Sequence, residues 1–297
     1  YDYNELIKIF LNPNEYKLFM KNEYECSHDE NDIIIEFNNE CFNEKNQIKR
    51  EIYQGLCKVT GITPPWGILT GVRPVKLTRE LFEKYKSYEK VAEKLKQFYL
   101  LSEEKAKLLM DIYKYQQDFL GSADENSISI YIGIPFCPTR CLYCSFTSNQ
   151  QGPEEIKKYL DTLIEEIKFA GDALKKSGKY IESVYIGGGT PTTLNEKQLD
   201  MLLQEIEKSF DLSKIKEFTV EAGRPDTITA EKLKVISGHG IKRISINPQT
   251  MKDKTLKLIG RSHSVDDIRN AFNTAFNTDN FIINADVIAG LPEETPK

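Results

Sequence analysis

The sequence has no apolar run that approaches eighteen residues, and no charged segment followed by an apolar one stands at its start. Runs of those kinds mark membrane-spanning helices and secretory signals, so we expect a cytoplasmic protein with no membrane span. An excess of basic residues is also lacking, since 40 Lys and Arg face 45 Asp and Glu for a net charge of −5. No overall field therefore favours a nucleic acid or an anionic membrane, and we expect neither as a partner.

Cysteine and histidine are scarce outside one loop. The three histidines lie in unrelated sequence contexts and suggest no set of metal ligands. Cys26, Cys41 and Cys57 are scattered through a large chain without an export signal, which indicates reduced cysteines rather than a disulfide framework. A second cluster that uses these three is the alternative. The chain has 297 residues, of which 40% are hydrophobic, so one large domain or two ordinary ones are expected.

The remaining three cysteines, Cys137, Cys141 and Cys144, fall within eight residues at the spacing C-x3-C-x2-C. Soft thiolates grouped this densely indicate a soft metal site, most naturally an iron–sulfur cluster. A cubic cluster that is held by only three thiolates keeps one iron open for a small molecule with N and O ligands. The alternative is a structural zinc site with a distant fourth ligand. No further C-x-x-C pair and no H-x3–5-H pair follows the loop.

From residue 127 onward, segments with strand character alternate with segments of helical periodicity. This alternation predicts right-handed crossovers and a parallel sheet, either doubly wound or of the barrel type. In a barrel, reactive groups lie at the carboxyl ends of the strands. The last helix is expected to bury Ile268, Phe272 and Phe276. The predicted strands are 127–134, 183–186, 217–221, 242–246 and 281–286, and the predicted helices begin at 153, 195, 229 and 264.

The cysteine loop also carries an aromatic residue before its last cysteine, within the longer string Y-I-x-I-P-F-C-x3-C-x-Y-C that begins at Tyr131. This string resembles the signature of the radical S-adenosylmethionine (SAM) superfamily, and within it the oxygen-independent coproporphyrinogen III oxidase (dehydrogenase) family. The resemblance implies a [4Fe–4S] cluster, SAM and an α/β fold of the partial (β/α)6 TIM-like barrel type. Only five strands are visible, so the sixth would follow Lys297. Together with Tyr1 in place of Met, this predicts a segment of a longer protein.

The resemblance also implies the site residues. The three loop cysteines, Cys137, Cys141 and Cys144, would bind the cluster. The glycine run after the second strand permits close backbone approaches, and the family's matching run receives the amino group of SAM. The residues that the resemblance places in the SAM site are Tyr131, Tyr143, Gly187, Gly188, Gly189, Thr190, Glu221, Gln249, Arg261 and Asp286.

Three positions in this site are left open. Tyr143 is expected either to stack beside adenine or to form a hydrophobic lid on the cluster. Arg224, in the loop after the third strand, would meet SAM or a substrate carboxylate. Asn247 stands where the family has Gly, so the shape of that loop is not predicted.

The function implied is oxidative decarboxylation of two propionates of coproporphyrinogen III to vinyl groups, which gives protoporphyrinogen IX in haem biosynthesis. The partners implied are a tetrapyrrole substrate and a small electron-donor protein of the flavodoxin or ferredoxin type. Two departures keep alternatives open: Gly133 stands where that branch has His, and Phe146 where it has Cys. The related haem chaperones share the Cys-x-Tyr-Cys-x-Phe ending, so haem binding and trafficking is the second hypothesis. Action on another tetrapyrrole is the third.

The first third of the chain lacks the alternation of strands and helices that is typical of a barrel. It predicts a small, mostly helical α+β accessory domain at 1–124, before a barrel core at 125–297. The boundary is placed in the polar segment 121–126. A strand is predicted at 32–37, a helix at about 45–60 and another that opens within 69–77. Helical spacing with Leu108, Leu109, Ile112 and Phe119 on one side follows over about 88–120. The patch 66–74 is either a rigid loop or a contact with substrate or a partner through Arg73. The extension resembles the Z-type branch of the dehydrogenase family.

Overall fold

The computed structural model describes residues 2–18, 45–71, 73–120 and 124–295. The chain separates into two compact units, Tyr1–Ala123 and Asp124–Lys297. The predicted strand at 32–37 and the first residues of the predicted boundary, 121–123, lie outside the described residues. The division into an accessory domain and a barrel core stays a prediction.

The described residues of the first unit form helices and no strand. The predicted helix at 45–60 is confirmed, and it buries Ile52, Tyr53 and Leu56 against the first helix because these residues recur on one face. The edge of the Tyr53 ring packs on Phe10 with 5.4 Å between ring centroids. The helices are Asp2–Ile7 (α1), Lys45–Thr60 (α2), Pro74–Tyr85 (α3), Tyr88–Glu93 (α4) and Glu103–Leu120 (α5), and a π-helical turn, Lys94–Phe98, follows α4.

The helical spacing over 88–120 is interrupted, which the sequence pattern did not predict. The chain leaves α4 through the π turn and passes through a left-handed residue, Leu100, before α5 begins. The 66–74 patch is hydrogen-bonded to the backbone at this break. The Ile68 N–H donates to Tyr99 O at 3.0 Å. The prediction for Leu108 is wrong, because its side chain is 41% exposed while Leu109 is buried. The side chain of Phe119 lies outside the described part of the structure.

The second unit contains a five-stranded sheet in the order β1-β2-β3-β4-β5, and every pairing is parallel. Strands that follow one another in sequence are therefore neighbours in space, with no reversal of order. A doubly wound sheet would show such a reversal, so the described strands wind in one direction as in a barrel. The strands are Ser127–Ile134 (β1), Tyr180–Gly188 (β2), Glu217–Gly223 (β3), Arg243–Ile246 (β4) and Ile282–Asn284 (β5).

The two faces of the sheet differ in chemistry. One face carries buried aliphatic residues such as Ile132, Ile186 and Val220, and it packs against the helices. The other face is polar, although parallel sheets in proteins are normally covered by apolar residues on both sides. Its side chains sit at matching registers across neighbouring strands: Tyr131 with Tyr185, Tyr185 with Thr219, Glu221 with Ser245 and Ser245 with Asn284.

The helices of the second unit start where their capping signals predict. Asn195 and Ser264 each form a capping box with the residue three positions later. In the last helix the prediction for Phe276 is wrong, since its side chain is 65% exposed. Small residues, Ala271 and Ala275, are buried in the core cluster instead. The helices are Pro153–Ser177 (α6), Glu196–Ser209 (α7), Ala230–Gly238 (α8), Asp253–Leu258 (α9) and Val265–Thr278 (α10).

Across the described ranges, with their gaps at 19–44, 72 and 121–123, no helix combines the length and the apolar character that crossing a membrane requires.

Candidate cofactor site at the carboxyl ends of the strands

The cysteine loop follows β1 and is closed by backbone hydrogen bonds at its base. Asn149 donates to Pro135 O at 2.8 Å, and the N–H of Cys137 donates to Asn149 O at 3.1 Å. Within the loop, the N–H of Cys144 donates to Cys141 O at 3.2 Å. All three cysteines carry free, partly exposed thiols. The loop therefore presents three thiols at the carboxyl end of the sheet without committing them to disulfides.

The glycine run 187–189 lies against the base of the same loop. The N–H of Gly189 donates to Ile134 O at 2.8 Å, and a Cβ on Gly189 would stand 3.0 Å from Cys137 Sγ. A larger residue would therefore clash with the start of the cysteine loop, where Phe136 O is closer still at 2.7 Å. Thr190, which is buried, places its Oγ1 3.4 Å from the same sulfur. Burial raises the pKa of the Cys137 thiol, and the Thr190 contact partly offsets this effect.

Arg224 lies in the loop after β3 and is almost fully buried, with 3% of its surface exposed. Its Nε and Nη2 donate to the two carboxylate oxygens of Asp226 at 3.0 and 2.9 Å. Nη2 also donates to Ser262 Oγ at 2.8 Å, and Nη1 donates to Thr139 Oγ1 at 2.7 Å. Nη1 lies 3.9 Å from Cys141 Sγ as well. The arginine therefore ties the loop after β3 to the cysteine loop.

Burial would raise the pKa of the Asp226 carboxyl, but His263 and Arg224 hold it well below its usual range. The Nδ1 of His263 stands 3.6 Å from Asp226 Oδ1, which is an ion-pair distance rather than a hydrogen bond. The side chain of His263 is fully buried. Arg224 and Asp226 thus form a paired, charged unit inside the fold.

Arg261 is also buried, but its guanidinium is largely unpaired. Its Nη2 donates to the Tyr143 hydroxyl at 2.8 Å, whereas Nε and Nη1 meet no acceptor in the described part of the chain. Buried donors without partners are costly, so they are expected to serve a bound molecule. Tyr143 belongs to the cysteine loop, so this contact also joins Arg261 to the proposed cluster ligands.

Glu221, at the carboxyl end of β3, is half-buried on the polar face of the sheet. Burial raises the pKa of its carboxyl, and the nearby charge of Asp286 raises it further. Tyr185 and Glu221 both lie over Gly187, within 2.7 and 2.9 Å of where a Cβ would stand. The ring of Tyr131 stacks on Tyr185 with 5.9 Å between centroids. The structure therefore brings Tyr131, Gly187, Glu221 and Asp286 into one neighbourhood.

The loop after β4 supplies further polar groups. Gln249 adopts a left-handed conformation with φ 66°, and its N–H donates to Asp286 O at 2.9 Å. Asn247, which replaces the glycine of the family pattern, is buried, and its N–H donates to Gly223 O at 2.8 Å. Its Oδ1 and the hydroxyl of Ser245 have no hydrogen-bond partner among the described residues. These atoms add unpaired polar groups to the same end of the sheet.

Most of the predicted site residues thus fall at the carboxyl ends of the five strands and in the loops that follow them, whereas Tyr131 lies within β1 and Arg261 follows α9. Sequence reasoning missed the network around Arg224, including Thr139, Asp226 and Ser262. The Arg-Pro-Asp run directly after a strand was the available signal, because a cation and an anion two residues apart can pair within one turn.

The residues present fit a cluster with a bound small molecule. Three thiolates on one loop are the donors that iron–sulfur clusters prefer, and the unpaired guanidinium of Arg261 is suited to an anionic group. In residues 2–18, 45–71, 73–120 and 124–295, no three or more His, Cys, Asp or Glu side chains are arranged to hold a metal ion. A cluster places each thiolate on a different iron, so its ligands do not need to converge on one point.

Comparison with known proteins gives the family. The profile of the radical SAM superfamily matches residues 131–297. The chain belongs to the radical SAM superfamily. Members of this superfamily use a [4Fe–4S] cluster and SAM, so the predicted cofactors and the predicted α/β fold of the partial-barrel type are confirmed.

Three similar proteins refine the picture. The oxygen-independent coproporphyrinogen-III oxidase-like protein HemZ of Bacillus subtilis (strain 168) is 41% identical over 266 residues, which cover 87% of this chain and 53% of that protein. The heme chaperone HemW of the same organism is 38% identical over 174 residues, which cover 57% of this chain and 44% of that protein. The structure of Escherichia coli coproporphyrinogen III oxidase (HemN), a radical SAM enzyme, aligns with a TM-score of 0.52 at 26% identity, over 62% of this chain and 42% of that one.

This radical SAM chain therefore spans about half the length of the curated relatives that it matches. The likeness to HemZ and HemN confirms the predicted family, the coproporphyrinogen oxidase-like branch of the superfamily. The likeness to HemW means that family membership alone does not separate an oxidoreductase from a chaperone.

Proposed function

We propose that this chain is the radical SAM part of a coproporphyrinogen III dehydrogenase that works without oxygen. Each of two propionates would lose a hydrogen atom, CO2 and one electron to leave a vinyl group, which gives protoporphyrinogen IX. We also propose that a small flavodoxin- or ferredoxin-type protein supplies electrons. The cytoplasmic location stays a prediction.

One observation carries this proposal. The match to HemZ covers 87% of the chain and so extends into the first unit, whereas the match to HemW covers 57%. The first unit therefore favours the coproporphyrinogen oxidase-like relative, and its role would be part of that activity.

The site residues would divide the work as follows. Cys137, Cys141 and Cys144 would bind three irons of the cluster. The backbone of the glycine run 187–189 would approach SAM closely, and Glu221 would accept hydrogen bonds from its ribose. When bound, the cluster and SAM supply one-electron chemistry that removes a hydrogen atom from an unactivated carbon.

The remaining SAM-site assignments are also proposals. Arg261 would direct its two unpaired donors at the bound cofactor, and its bond to Tyr143 would keep that ring over the cysteine loop. Gln249 and Asp286, joined through a backbone hydrogen bond, would close the site on the side of β5. Tyr131 and Thr190 would line it next to Tyr185 and Cys137.

The proposal is tested on the protein expressed from its complete gene. The cluster is reconstituted without oxygen, and SAM, a reductant and coproporphyrinogen III are added. We expect protoporphyrinogen IX and 5′-deoxyadenosine in the wild type and neither in Cys141→Ala. SAM cleavage without any decarboxylation of coproporphyrinogen III would contradict the proposed substrate.

A second candidate function is haem binding and trafficking, which the 38% identity to HemW supports. A chaperone of this kind would retain the cluster and the SAM site but bind haem without turnover. Titration with haem, followed by gel filtration and absorbance, separates the two. Stable haem binding together with inactivity on coproporphyrinogen III would favour the chaperone. Action on another tetrapyrrole would instead appear as a new product in the same assay.

A further inference from the structure

Arg224 has a role that neither the family pattern nor the proposed reaction assigns. An arginine side chain offers five N–H donors. Here Nε and one donor of Nη2 bind Asp226, the other donor of Nη2 binds Ser262, and Nη1 serves Thr139 and Cys141. Because every donor is used inside the protein, this arginine is not available for a carboxylate of SAM or of a substrate. The earlier expectation for Arg224 therefore does not describe its contacts.

The three proposed cluster ligands have different surroundings. Cys141 Sγ lies 3.9 Å from the charged Nη1 of Arg224. Cys137 Sγ lies 3.4 Å from the neutral hydroxyl of Thr190. The sulfur of Cys144 has no hydrogen-bond donor in the part of the chain that the structure describes. One ligand of the three thus receives a cationic donor.

That contact has two physical consequences. The bidentate pair with Asp226 fixes the guanidinium, and its bond to Thr139 fixes the backbone two residues before Cys141. An N–H donor and a positive charge next to a thiolate also favour the more reduced, more negative form of a cluster. Because Arg224 is buried, solvent screens this charge little.

We propose that Arg224 is a positioning residue that orients the Cys141 thiolate and raises the reduction potential of the cluster. The inference rests on the proposed cluster ligands and does not depend on the substrate. A residue in the loop after β3 would then make it easier for the cluster to accept an electron.

The experiment measures the midpoint potential of the reconstituted cluster by a redox titration followed with electron paramagnetic resonance. The variants are Arg224→Gln, which removes the charge, Arg224→Lys, which keeps it, and Asp226→Asn, which removes the opposing charge and keeps the shape. Arg243→Gln is the matched control. It removes the same charge from the amino end of β4, where Arg243 stands 3.7 Å from Glu217. Iron and sulfide content and circular dichroism are recorded for every variant.

We expect a lower potential in Arg224→Gln, a smaller decrease in Arg224→Lys, a higher potential in Asp226→Asn and no change in Arg243→Gln. A general loosening of the loop would not shift the potential in opposite directions in Arg224→Gln and Asp226→Asn. Where Arg224→Gln does not fold, Arg224→Lys and Asp226→Asn carry the same test. An unchanged potential, or shifts of the same sign at both positions, overturns the inference while the cluster assignment stands. A wild-type protein that takes up no cluster overturns both.

Discussion

Two arginines are buried beside the cysteine loop, and they differ in how their donors are used. Arg224 pairs all of its nitrogens with groups of the protein itself. Arg261 pairs only Nη2, with the Tyr143 hydroxyl, and keeps Nε and Nη1 without an acceptor in the described ranges. A satisfied buried charge belongs to the framework of a site, whereas an unsatisfied one is kept for a ligand.

The carboxylates of the site divide in the same way. The pKa of Asp226 lies well below its usual range, where burial is outweighed by His263 and by Arg224. The pKa of Glu221 is raised by burial and by the charge of Asp286. The framework pair, Arg224 and Asp226, is therefore stable as charged groups without a ligand. Glu221 has a raised pKa, and Arg261 keeps two nitrogens without an acceptor in the described ranges, so we infer that these two await the bound cofactor.

The largest effect is expected where the framework meets the cluster. Cys141→Ala removes the thiol that Arg224 contacts, and two cysteines are too few to hold the cluster. We expect iron and sulfide content to fall to background and the visible absorbance to disappear. Cys57→Ala, which removes a free cysteine of α2, is the matched control and keeps full cluster content. A Cys141→Ala protein with a full cluster that cleaves SAM would refute the ligand assignment.

Local signals account for the parts of this molecule that could be predicted from sequence. The capping boxes at Asn195 and Ser264 and the alternation of strand and helix need only neighbouring residues, and all appear in the structure. The spacing of the three cysteines is equally local and led to the correct superfamily.

Long-range contacts account for what the sequence could not show. Arg224 reaches Thr139, which lies 85 residues earlier, and Arg261 reaches Tyr143, which lies 118 residues earlier. No periodicity reports such pairs, so the sequence did not distinguish the satisfied arginine from the unsatisfied one. The exposed Phe276 has a related cause, because a search for large apolar residues passes over the alanines that this helix buries in the core.

The Arg224–Asp226 pair should contribute measurably to the free energy of unfolding. Arg224→Met leaves Asp226 without its cation, and removal of one partner from such a pair is expected to cost about 3 kcal/mol in free energy of unfolding. This is the low end of the usual range because the side chain of Asp226 is 26% exposed. Urea denaturation of the protein without cluster measures the loss. Arg261→Met is the matched comparison and should change stability by less than about 1 kcal/mol, since it removes two unpaired nitrogens and a single hydrogen bond, that to Tyr143. Equal losses of unfolding free energy in the two variants would contradict the distinction between a paired Arg224 and a largely unpaired Arg261.

The unpaired donors of Arg261 should contribute to the affinity for SAM. Arg261→Met removes two charged donors that are proposed to reach SAM, and we expect binding to weaken by about 2 kcal/mol, or roughly 30-fold in Kd. Isothermal titration of SAM into the reconstituted protein measures this change. Arg243→Met, at the opposite end of the strands, is the control and should leave the Kd unchanged. Unaltered SAM affinity in Arg261→Met would mean that its free donors serve another group.

The smallest effect is expected from the pH dependence of the two carboxylates, and its sign separates them. Because the pKa of Glu221 is raised in the folded protein, its ionisation destabilises the fold increasingly as pH rises from about 4 towards neutrality. Glu221→Gln should therefore stabilise the protein without cluster at pH 7, by up to about 1 kcal/mol since the group is only half-buried.

Asp226 should behave in the opposite sense. Because its pKa is lowered, the ionised carboxylate of Asp226 stabilises the fold above about pH 4, and this stabilisation is lost only as pH falls further. Asp226→Asn should therefore destabilise the protein at pH 7. Urea denaturation of both variants and the wild type at pH 4 and pH 7 measures the two slopes. The Glu221→Gln difference should shrink at pH 4, while most of the Asp226→Asn difference should persist there. If both variants destabilised the protein equally at pH 7, Glu221 would belong to the framework together with Asp226 and Arg224.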